Sequence, residues 1–352
     1  MNSSSKTPTR PLEVAVLGDG SFGTALSIRL AENGHNVRLW SAFAEMSEKL
    51  RADRENKRYL PGVKFPSGIA AVADPIQATR GVDLAVSVVP TQHLRSVAER
   101  FENALPETVS LVSATKGLEI ETFQRPSEIL LEVLGQRSIG VLTGPSHAEE
   151  VALGKPSSVV AASEDEQLAE LVQQAFNSKA FRVYTSTDRK GAELAGALKN
   201  VIALAAGISD GLELGDNAKA ALLTRGMVEL ARYGAHAGAR PETFFGLAGF
   251  GDLVTTCCSA HSRNRSVGER LGRGQTLAQI LDEMDMVAEG VWTTQALFGP
   301  ESEARGFSMP IAEQVNAILF EGRDPREAVT HLMQREAASE LEGFGAAFGG
   351  LG

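Results

Sequence analysis

The sequence predicts an α/β fold: an N-terminal part with a doubly wound, mostly parallel β-sheet, followed by an all-α C-terminal part. Three observations support this prediction. Short apolar runs alternate with helical stretches up to about residue 190, and several runs are almost continuously apolar, as in strands covered on both faces. Convincing strand patterns disappear after that point. The length of 352 residues favours two domains.

The predicted elements follow in chain order. The strand runs are EVAVL at 13–17, VRLW at 37–40, DLAVSVV at 83–89, TVSLVS at 108–113, SIGVLT at 138–143, SSVVAA at 157–162 and FRVY at 181–184. Helical patterns at 22–33, 92–103 and 165–177 lie between them and indicate βαβ units. The later helical patterns are at 191–206, 217–236, 241–247, 263–272, 276–284, 291–304, 311–320 and 325–335. We therefore expect a sheet domain at 12–190, a helical domain at 191–336, and disordered tails at 1–11 and 337–352.

Composition excludes several classes of function. The net charge of −10 argues against a nucleic-acid binder, and it requires that any anionic substrate be held by a local cluster of donors. The adjacent cysteines, Cys257 and Cys258, fit neither a disulfide framework nor a zinc site, and the scattered histidines predict no metal. The polar start and the lack of a long apolar stretch predict a cytoplasmic protein without stable membrane insertion.

A glycine-rich loop follows the first predicted strand. Gly18, Gly20 and Gly23 form G-x-G-x-x-G, with Ser21 and Phe22 between the last two glycines, and an amphipathic helical pattern follows. This context predicts a Rossmann-like, dinucleotide-binding domain in which phosphates lie at the helix N-terminus. Three turn glycines without a ligand are the alternative, which the flanking strand and helix disfavour.

The end of the second predicted strand bears on the choice of cofactor. An NAD-specific site places an acid there, but Ser41-Ala42-Phe43-Ala44 follows Trp40, and the nearest acid is Glu45 in the next helix. The missing carboxylate removes the repulsion against a 2′-phosphate, and Arg38, Arg54, Lys57 and Arg58 are possible counter-charges. NADP is therefore slightly favoured, with NAD tolerated.

One lysine lies in an apolar helix. In LAGALKNVIALAA (194–206) only Lys199 and Asn200 are polar, and a charged lysine in such a core helix is unfavourable unless it is paired or neutralised. Lys199 either reaches solvent or a structural acid, or it is functional. As a general base it needs a pKa of about 7–8 in place of ~10.4. An acid would oppose that shift, so we expect Asp252 to orient donors without fully pairing with Lys199.

Two further segments offer polar groups. Lys116 lies at a predicted strand end, either facing the ligand crevice or as a solvated loop lysine. Ser262, Arg263 and Asn264 open a predicted helix, where a guanidinium, an amide and free N–H groups suit a phosphate monoester. A plain capped helix with a surface arginine is the alternative.

Together these motifs resemble the bacterial type of NAD(P)-dependent glycerol-3-phosphate dehydrogenase. The likeness runs from about residue 13 to 335. The matching segments are VLGDGSFGTAL at 16–26, SATKGLE at 113–119, TGPSHAEEVA at 143–152, ALKNVIALAAGISDGL at 197–212, GLAGFGDLVTTC at 246–257, SRN at 262–264 and VAEG at 287–290.

The resemblance implies reversible hydride transfer between NAD(P) and C2 of dihydroxyacetone phosphate or sn-glycerol 3-phosphate, which supplies phospholipid synthesis. It implies that Lys199 and Lys116 are the catalytic residues, with Lys199 as the general acid/base, and that Lys116 contacts substrate and cofactor. The other implied substrate contacts are Gly144, Ser146, Asn200, Asp252, Thr256, Ser262, Arg263 and Asn264. The implied cofactor contacts are Gly18, Gly20, Ser21, Phe22, Gly23, Ala148, Arg263, Val287 and Glu289.

Two alternatives compete with this interpretation. One is a dehydrogenase of the same architecture that acts on a hydroxyacyl or pantoate-like acid, and the other is a non-catalytic dinucleotide sensor. The sensor leaves Lys199 and the SRN segment without a purpose. A homodimer is expected because symmetric dimers are the commonest assembly.

Overall fold

The computed structural model describes residues 10–284, 288–336 and 339–340. These residues form two compact units: the first comprises the described part of Met1–Thr115 with Pro126–Arg189, and the second comprises Lys116–Arg125 with the described part of Lys190–Gly352. Most of the predicted tails, 1–11 and 337–352, lies outside the described residues. Arg10, at the edge of the N-terminal tail, donates to the Asp83 carboxylate at 3.1 Å.

The first unit contains, within the described residues, an eight-stranded sheet of order β3-β2-β1-β4-β5-β6-β7-β8. The strands are β1 (Glu13–Leu17), β2 (Asn36–Trp40), β3 (Ile69–Val72), β4 (Leu84–Ser87), β5 (Ser110–Ser113), β6 (Ile139–Thr143), β7 (Ser157–Ala162) and β8 (Phe181–Ser186). All neighbours pair in parallel except β6 and β7. The predicted doubly wound, mostly parallel sheet is confirmed.

Helices connect the strands of this sheet. They are α1 (Ser21–Glu32), α2 (Ala44–Asp53), α3 (Pro75–Thr79), α4 (Thr91–Glu99), α5 (Pro126–Leu134), α6 (Ala148–Ala152) and α7 (Glu166–Phe176). Aspartate side chains cap the N-termini of α3 and α7. The Asp74 carboxylate accepts a hydrogen bond from one backbone N–H group of α3, and the Asp165 carboxylate accepts from two backbone N–H groups of α7.

Both faces of the sheet are covered, as the apolar strand runs predict. Along β1, Val14 and Val16 belong to one buried cluster, whereas Ala15 and Leu17 belong to another. Successive side chains of a strand point to opposite faces, so two cores require a strand that is apolar at every position.

The second unit is helical within the described residues. Its helices are α8 (Arg189–Gly211, beginning one residue earlier than the unit), α9 (Gly215–His236), α10 (Pro241–Phe245), α11 (Asp252–Cys258), α12 (Arg263–Gly272), α13 (Leu277–Asp282), α14 (Glu289–Leu297), α15 (Pro310–Phe320) and α16 (Pro325–Met333). A π-helical turn, Leu247–Gly251, precedes α11. The predicted helix at 291–304 corresponds to α14, which ends earlier than expected, at Leu297.

Helix α8 forms the centre of this unit. It is the one helix in the described part of the chain that is long and apolar enough to cross a membrane, and 94% of its apolar window is buried inside the protein. The neighbouring segment, 116–125, contributes Leu118 and Phe123 to the same buried cluster as Leu198 of α8. The segment falls within the predicted sheet domain, 12–190, whereas its contacts place it with the helices.

Candidate active site

The glycine-rich loop lies between β1 and α1, and protein packing requires two of its three glycines. A Cβ on Gly23 would lie 2.0 Å from the carbonyl oxygen of Gly18, and one on Gly18 would lie 2.8 Å from that of Val88. A Cβ on Gly20 would meet no protein atom within 4 Å. Gly20 is also the N-cap of α1 and provides no side chain to the first N–H groups. The loop therefore fits a pyrophosphate, which needs open space above Gly20 and donors at the helix N-terminus.

Five other predicted site residues belong to the first unit: Ser21, Phe22 and Ala148 as cofactor contacts, and Gly144 and Ser146 as substrate contacts. Ser21 and Phe22 are the first residues of α1 and are partly exposed. Gly144 follows β6 with φ +135°, and the Ser146 hydroxyl donates to its carbonyl oxygen at 2.9 Å. Ala148 is the first residue of α6 and is buried. All five remain predicted contacts.

The four basic residues considered as partners of a 2′-phosphate differ in their surroundings. Arg38 and Lys57 pair with carboxylates, and Arg54 donates to backbone carbonyl oxygens. Burial raises the pKa of the Asp19 carboxyl group, and the exposed Arg58 is close enough for its charge to offset part of that rise. Arg58 is thus the candidate counter-charge next to the glycine-rich loop.

Four polar side chains of the second unit form a connected cluster. The Lys199 Nζ lies 2.7 Å from Asp252 Oδ1 and donates to the Thr256 hydroxyl at 2.5 Å. The Lys116 Nζ lies 2.7 Å from the other oxygen of Asp252. Thr256 Oγ1 donates to the Asp252 carbonyl oxygen at 2.6 Å, which leaves this hydroxyl to accept from Lys199. One carboxylate therefore holds two lysines in the predicted substrate site.

The position of these groups follows from their helices. Asp252 and Thr256 are four residues apart on α11 and share one face, while Lys199 lies on the central helix α8. The side chains of Lys199 and Asp252 are only 6% and 4% exposed, against 19% for Lys116. Solvent therefore has little access to the Lys199–Asp252 pair.

Burial and charge together set the protonation of the cluster. Burial lowers the pKa of Lys199 to about 8, helped by the Lys116 charge and opposed by Asp252. Burial alone would raise the pKa of Asp252, but the two ammonium groups outweigh it and the pKa of this carboxyl is lowered. Burial raises the pKa of the neighbouring Cys257 thiol to about 12, so this residue is a neutral core side chain and not a nucleophile.

The expectation that Asp252 would not fully pair with Lys199 is wrong. A direct ion pair by itself would keep the lysine pKa high. In the structure the carboxylate is shared with Lys116, and burial outweighs its attraction, so a paired lysine still has a lowered pKa.

A second polar group joins three segments of the helical unit. Asn264 donates from Nδ2 to Asn200 Oδ1 at 2.9 Å, and its own Oδ1 accepts from the Gly290 N–H at 2.9 Å. Both ends of this buried carboxamide thus contact the protein. Asn264 holds Asn200 in place, and its predicted contact with the phosphate stays a prediction.

The remaining predicted residues lie at helix starts. Ser262 is the N-cap of α12, accepting from the Arg265 N–H at 3.2 Å, and Arg263 is the exposed first residue of that helix. Glu289 is the first residue of α14. Val287 lies outside the described residues.

One buried ion pair of this unit is not among the residues predicted from the sequence. Arg125 Nη1 lies 3.0 Å from Glu193 Oε2, and the Glu193 side chain is 1% exposed. The pair ties the segment that begins with Lys116 to the helix that bears Lys199. A charged Glu193 at the start of an apolar helix was the signal available in the sequence.

Comparison with known proteins identifies the family. Family models described as the N-terminus and the C-terminus of NAD-dependent glycerol-3-phosphate dehydrogenase match residues 13–169 and 188–330. The glycerol-3-phosphate dehydrogenase [NAD(P)+] of Chlorobium limicola is 47% identical over 333 residues, which cover 94% of this chain and 100% of that one. The chain belongs to the NAD(P)-dependent glycerol-3-phosphate dehydrogenase family.

Solved structures agree with this membership. The glycerol-3-phosphate dehydrogenase of Coxiella burnetii has a TM-score of 0.88 at 38% identity, over 92% of this chain and 99% of that one. A ketopantoate reductase of Ralstonia eutropha, from the class considered as an alternative, has a TM-score of 0.56 at 16% identity, over 90% of this chain and 100% of that one. The second likeness shows a shared fold alone. The resemblance stated from the sequence is confirmed, and the chain is an oxidoreductase that uses NAD or NADP.

Proposed function

We propose that this chain catalyses the reversible reduction of dihydroxyacetone phosphate to sn-glycerol 3-phosphate and that Lys199 exchanges the proton with the C2 oxygen. The observation that supports the role of Lys199 is its Nζ, buried against Asp252 and Thr256 with a pKa of about 8. A general acid/base works best when its pKa lies near the working pH.

The hydrogen bonds of Lys199 leave one position on its nitrogen for the substrate. An ammonium group has three protons, and Thr256 and Asp252 accept two of them. The third proton can be donated to a ketone oxygen during reduction. In the neutral amine the same position is a lone pair, which accepts the hydroxyl proton during oxidation. The two neighbours thus orient the nitrogen in both directions of the reaction.

Residues of the first unit would hold the cofactor. The glycine-rich loop and the N-terminus of α1 suit its pyrophosphate, because Gly20 faces open space and the helix start has no side-chain cap. When bound, the nicotinamide supplies or removes the hydride at C2. What this chain contributes is binding, orientation and a proton at Lys199 Nζ.

The start of α12 is our candidate for the phosphate end of the substrate. The exposed guanidinium of Arg263 precedes a ten-residue helix whose first turn contains no acidic residue. Because the chain has a net charge of −10, a dianionic phosphate needs such a local cation. This charge and the backbone N–H groups of the first turn support the assignment.

Replacing Lys199 by methionine tests the catalytic role, since methionine fills similar space without a proton. We expect turnover to fall by about 10²–10⁴-fold while NADH binding, followed by fluorescence, is retained. Lys219→Met is the matched control, because Lys219 pairs with Asp210 in the same unit and has no contact with Asp252 among its described contacts. Turnover of Lys199→Met within tenfold of the wild-type rate would reject the role.

We also propose a cytoplasmic homodimer whose product supplies phospholipid synthesis. The dimer is supported by the prevalence of symmetric dimers among soluble oligomers. The metabolic role is supported by the resemblance to the bacterial enzymes. Sedimentation velocity measures the first, and a monomer at all concentrations would contradict it. In cells grown without glycerol, loss of label from a labelled hexose in the glycerol backbone of phospholipid on depletion measures the second, and unchanged labelling of that backbone would contradict it.

A further inference from the structure

The end of β2 has no acid of its own. Ser41 follows Trp40 directly, is fully buried, and donates its backbone N–H to the Val72 carbonyl oxygen at 2.9 Å. In dinucleotide-binding domains a carboxylate at this place bonds the ribose 2′-hydroxyl of NAD. On sequence alone, its absence favours a 2′-phosphate.

A carboxylate nevertheless reaches this place from the neighbouring strand. β1 and β2 are parallel with Leu17 opposite Trp40, so the glycine-rich loop begins beside Ser41. Asp19, the residue between the first two glycines, accepts a hydrogen bond from the Ser41 hydroxyl at 2.8 Å on Oδ2. The Asp19 carboxylate thus lies next to Ser41, the position at the end of β2 where other dinucleotide-binding domains have their acidic residue.

The backbone of Asp19 is fixed as well as its side chain. The buried Asn56 donates from Nδ2 to the Asp19 carbonyl oxygen at 2.7 Å and to the Thr24 hydroxyl at 2.8 Å. Asp19 itself is only partly buried, so the residue is held in position while part of it remains accessible. A bound group can therefore approach it without rearrangement of the loop.

We infer that Asp19 is the residue of this chain that distinguishes the ribose 2′-hydroxyl from a 2′-phosphate, and that it favours NAD(H). This inference rests on the proposed function, since it concerns the cofactor of that reaction. A carboxylate accepts about four hydrogen bonds, and Ser41 uses one, so a 2′-hydroxyl can use another. A 2′-phosphate at the same place faces a like charge.

The charges near Asp19 lead us to expect a moderate preference for NAD(H) over NADP(H). Burial raises the pKa of Asp19 above its ordinary value, and the Ser41 hydroxyl and the Arg58 charge offset part of that rise. The Arg58 guanidinium lies 5.0 Å from the centre of its neighbour's ring, Tyr59, and is exposed. An arginine on this side partly offsets the repulsion of a phosphate, so NADPH binding is weakened and not abolished. The preference is the opposite of that indicated by position 41 alone.

The test measures binding without any reaction. Dissociation constants for NADH and NADPH are obtained from nicotinamide fluorescence, with no substrate present, for the wild-type protein and Asp19→Asn. We expect the wild type to bind NADH more tightly than NADPH. Asparagine retains an acceptor for Ser41 but loses the charge. It should lower the ratio of the NADPH to the NADH dissociation constant by about tenfold or more, as expected for loss of a charged contact.

Two further variants make the result specific. Glu45→Gln removes a negative charge from an exposed side chain in the first turn of α2, four residues after Ser41, and should leave the ratio within about twofold. Ser41→Ala keeps the Asp19 charge but removes the hydroxyl that orients it. It should lower the ratio by roughly threefold, because the charge remains and only the hydrogen bond that orients it is lost. If Asp19→Asn does not fold, the Ser41→Ala ratio decides.

The outcomes separate this inference from the proposed function. A ratio that stays within twofold of the wild-type value in Asp19→Asn, or a shift of equal size in Glu45→Gln, overturns the role of Asp19 while leaving the dehydrogenase intact. A wild type that prefers NADPH also overturns it. Absence of binding of both nucleotides to the wild type rejects the cofactor site itself, and with it the inference and the proposed function together.

Discussion

Asp252→Asn should move the pH dependence of the reaction to lower pH. The substitution preserves the shape of the side chain but removes the one negative charge that lies 2.7 Å from both Lys116 and Lys199. In the wild-type protein this charge opposes the lowering of the Lys199 pKa by burial and by Lys116. Without it, burial and the Lys116 charge, which favour the neutral amine, are opposed only by the smaller influence of Cys257 among the causes that act on Lys199.

The magnitude follows from the geometry of the pair. An opposite charge at contact distance changes a pKa by about one to three, so the Lys199 pKa should fall from about 8 to roughly 5–7. Removing one partner of a buried ion pair also destabilises a fold by about 3–5 kcal/mol. The lower end of that range is expected, because Lys199 can lose its proton and Lys116 is partly exposed.

The assay is kcat/KM in both directions as a function of pH. Reduction needs the ammonium form, so in the wild type its kcat/KM should fall as pH rises through about 8, and oxidation should rise through the same pH. In Asp252→Asn both inflections should move down by about one to three pH units. Asp210→Asn is the control, because Asp210 pairs with Lys219 and Arg265 in the same unit. An unmoved inflection in Asp252→Asn, or an equal movement in Asp210→Asn, would refute the reasoning.

Three further predictions concern the loop, the phosphate end and a buried carboxylate. Gly20→Ala should fold normally but bind NADH at least about tenfold more weakly, as measured by fluorescence. Gly23→Ala should lower the melting temperature measured by calorimetry, because its Cβ would lie 2.0 Å from a backbone oxygen. Equal melting temperatures of the two variants would contradict the distinction. Arg263→Ala should raise KM for dihydroxyacetone phosphate by about 10–100-fold while sparing dihydroxyacetone, and equal losses on both substrates would reject the phosphate contact. Glu229 accepts the N–H groups of Ile311 and Ala312 at the start of α15, and burial raises its pKa to about 7. The folded pKa of Glu229 exceeds the unfolded one, so its stabilising contribution is complete below about pH 4.5 and is lost as pH rises through 7. In urea unfolding, the wild type should therefore lose up to about 3 kcal/mol of stability relative to Glu229→Gln across that window. A stability difference that does not change with pH would count against this prediction.

Sequence patterns predicted the strands and helices that depend mainly on neighbouring residues in the chain. The seven predicted strands are present because long apolar runs leave few alternatives, and Ser262 begins α12 as a capping residue should. The strand β3 was missed because IAAV has four residues, two of them alanine, and pairs with β2 alone. Helices α3, α5 and α6 were not predicted either, since tertiary packing stabilises short helices more than their propensity does.

Long-range pairing is what the sequence could not reveal. Lys199 was detectable because a charge in an apolar helix is unfavourable, and Asp252 belongs to GLAGFGDLVTTC, one of the segments that carry the family resemblance. That one carboxylate serves two lysines depends on the packing of α8, α11 and the segment 116–125, which no local pattern encodes. The same holds for Asp19. Nothing in the glycine-rich loop alone indicates a role for this residue, and only the parallel pairing of β1 and β2 brings Ser41 next to it.

The two carboxylates show how position converts the same chemistry into different functions. Asp252 is buried between two ammonium groups, so its charge raises the proton affinity of Lys199 and adjusts the acid/base. Asp19 is partly exposed and is held by neutral donors, so its charge acts on what binds next to it. Neutralising the first should therefore change the pH dependence without altering the ratio of cofactor affinities, and neutralising the second should do the reverse. Measuring both properties in both variants tests whether proton exchange and cofactor selection are separate in this protein, and a variant that changed both would show that they are coupled.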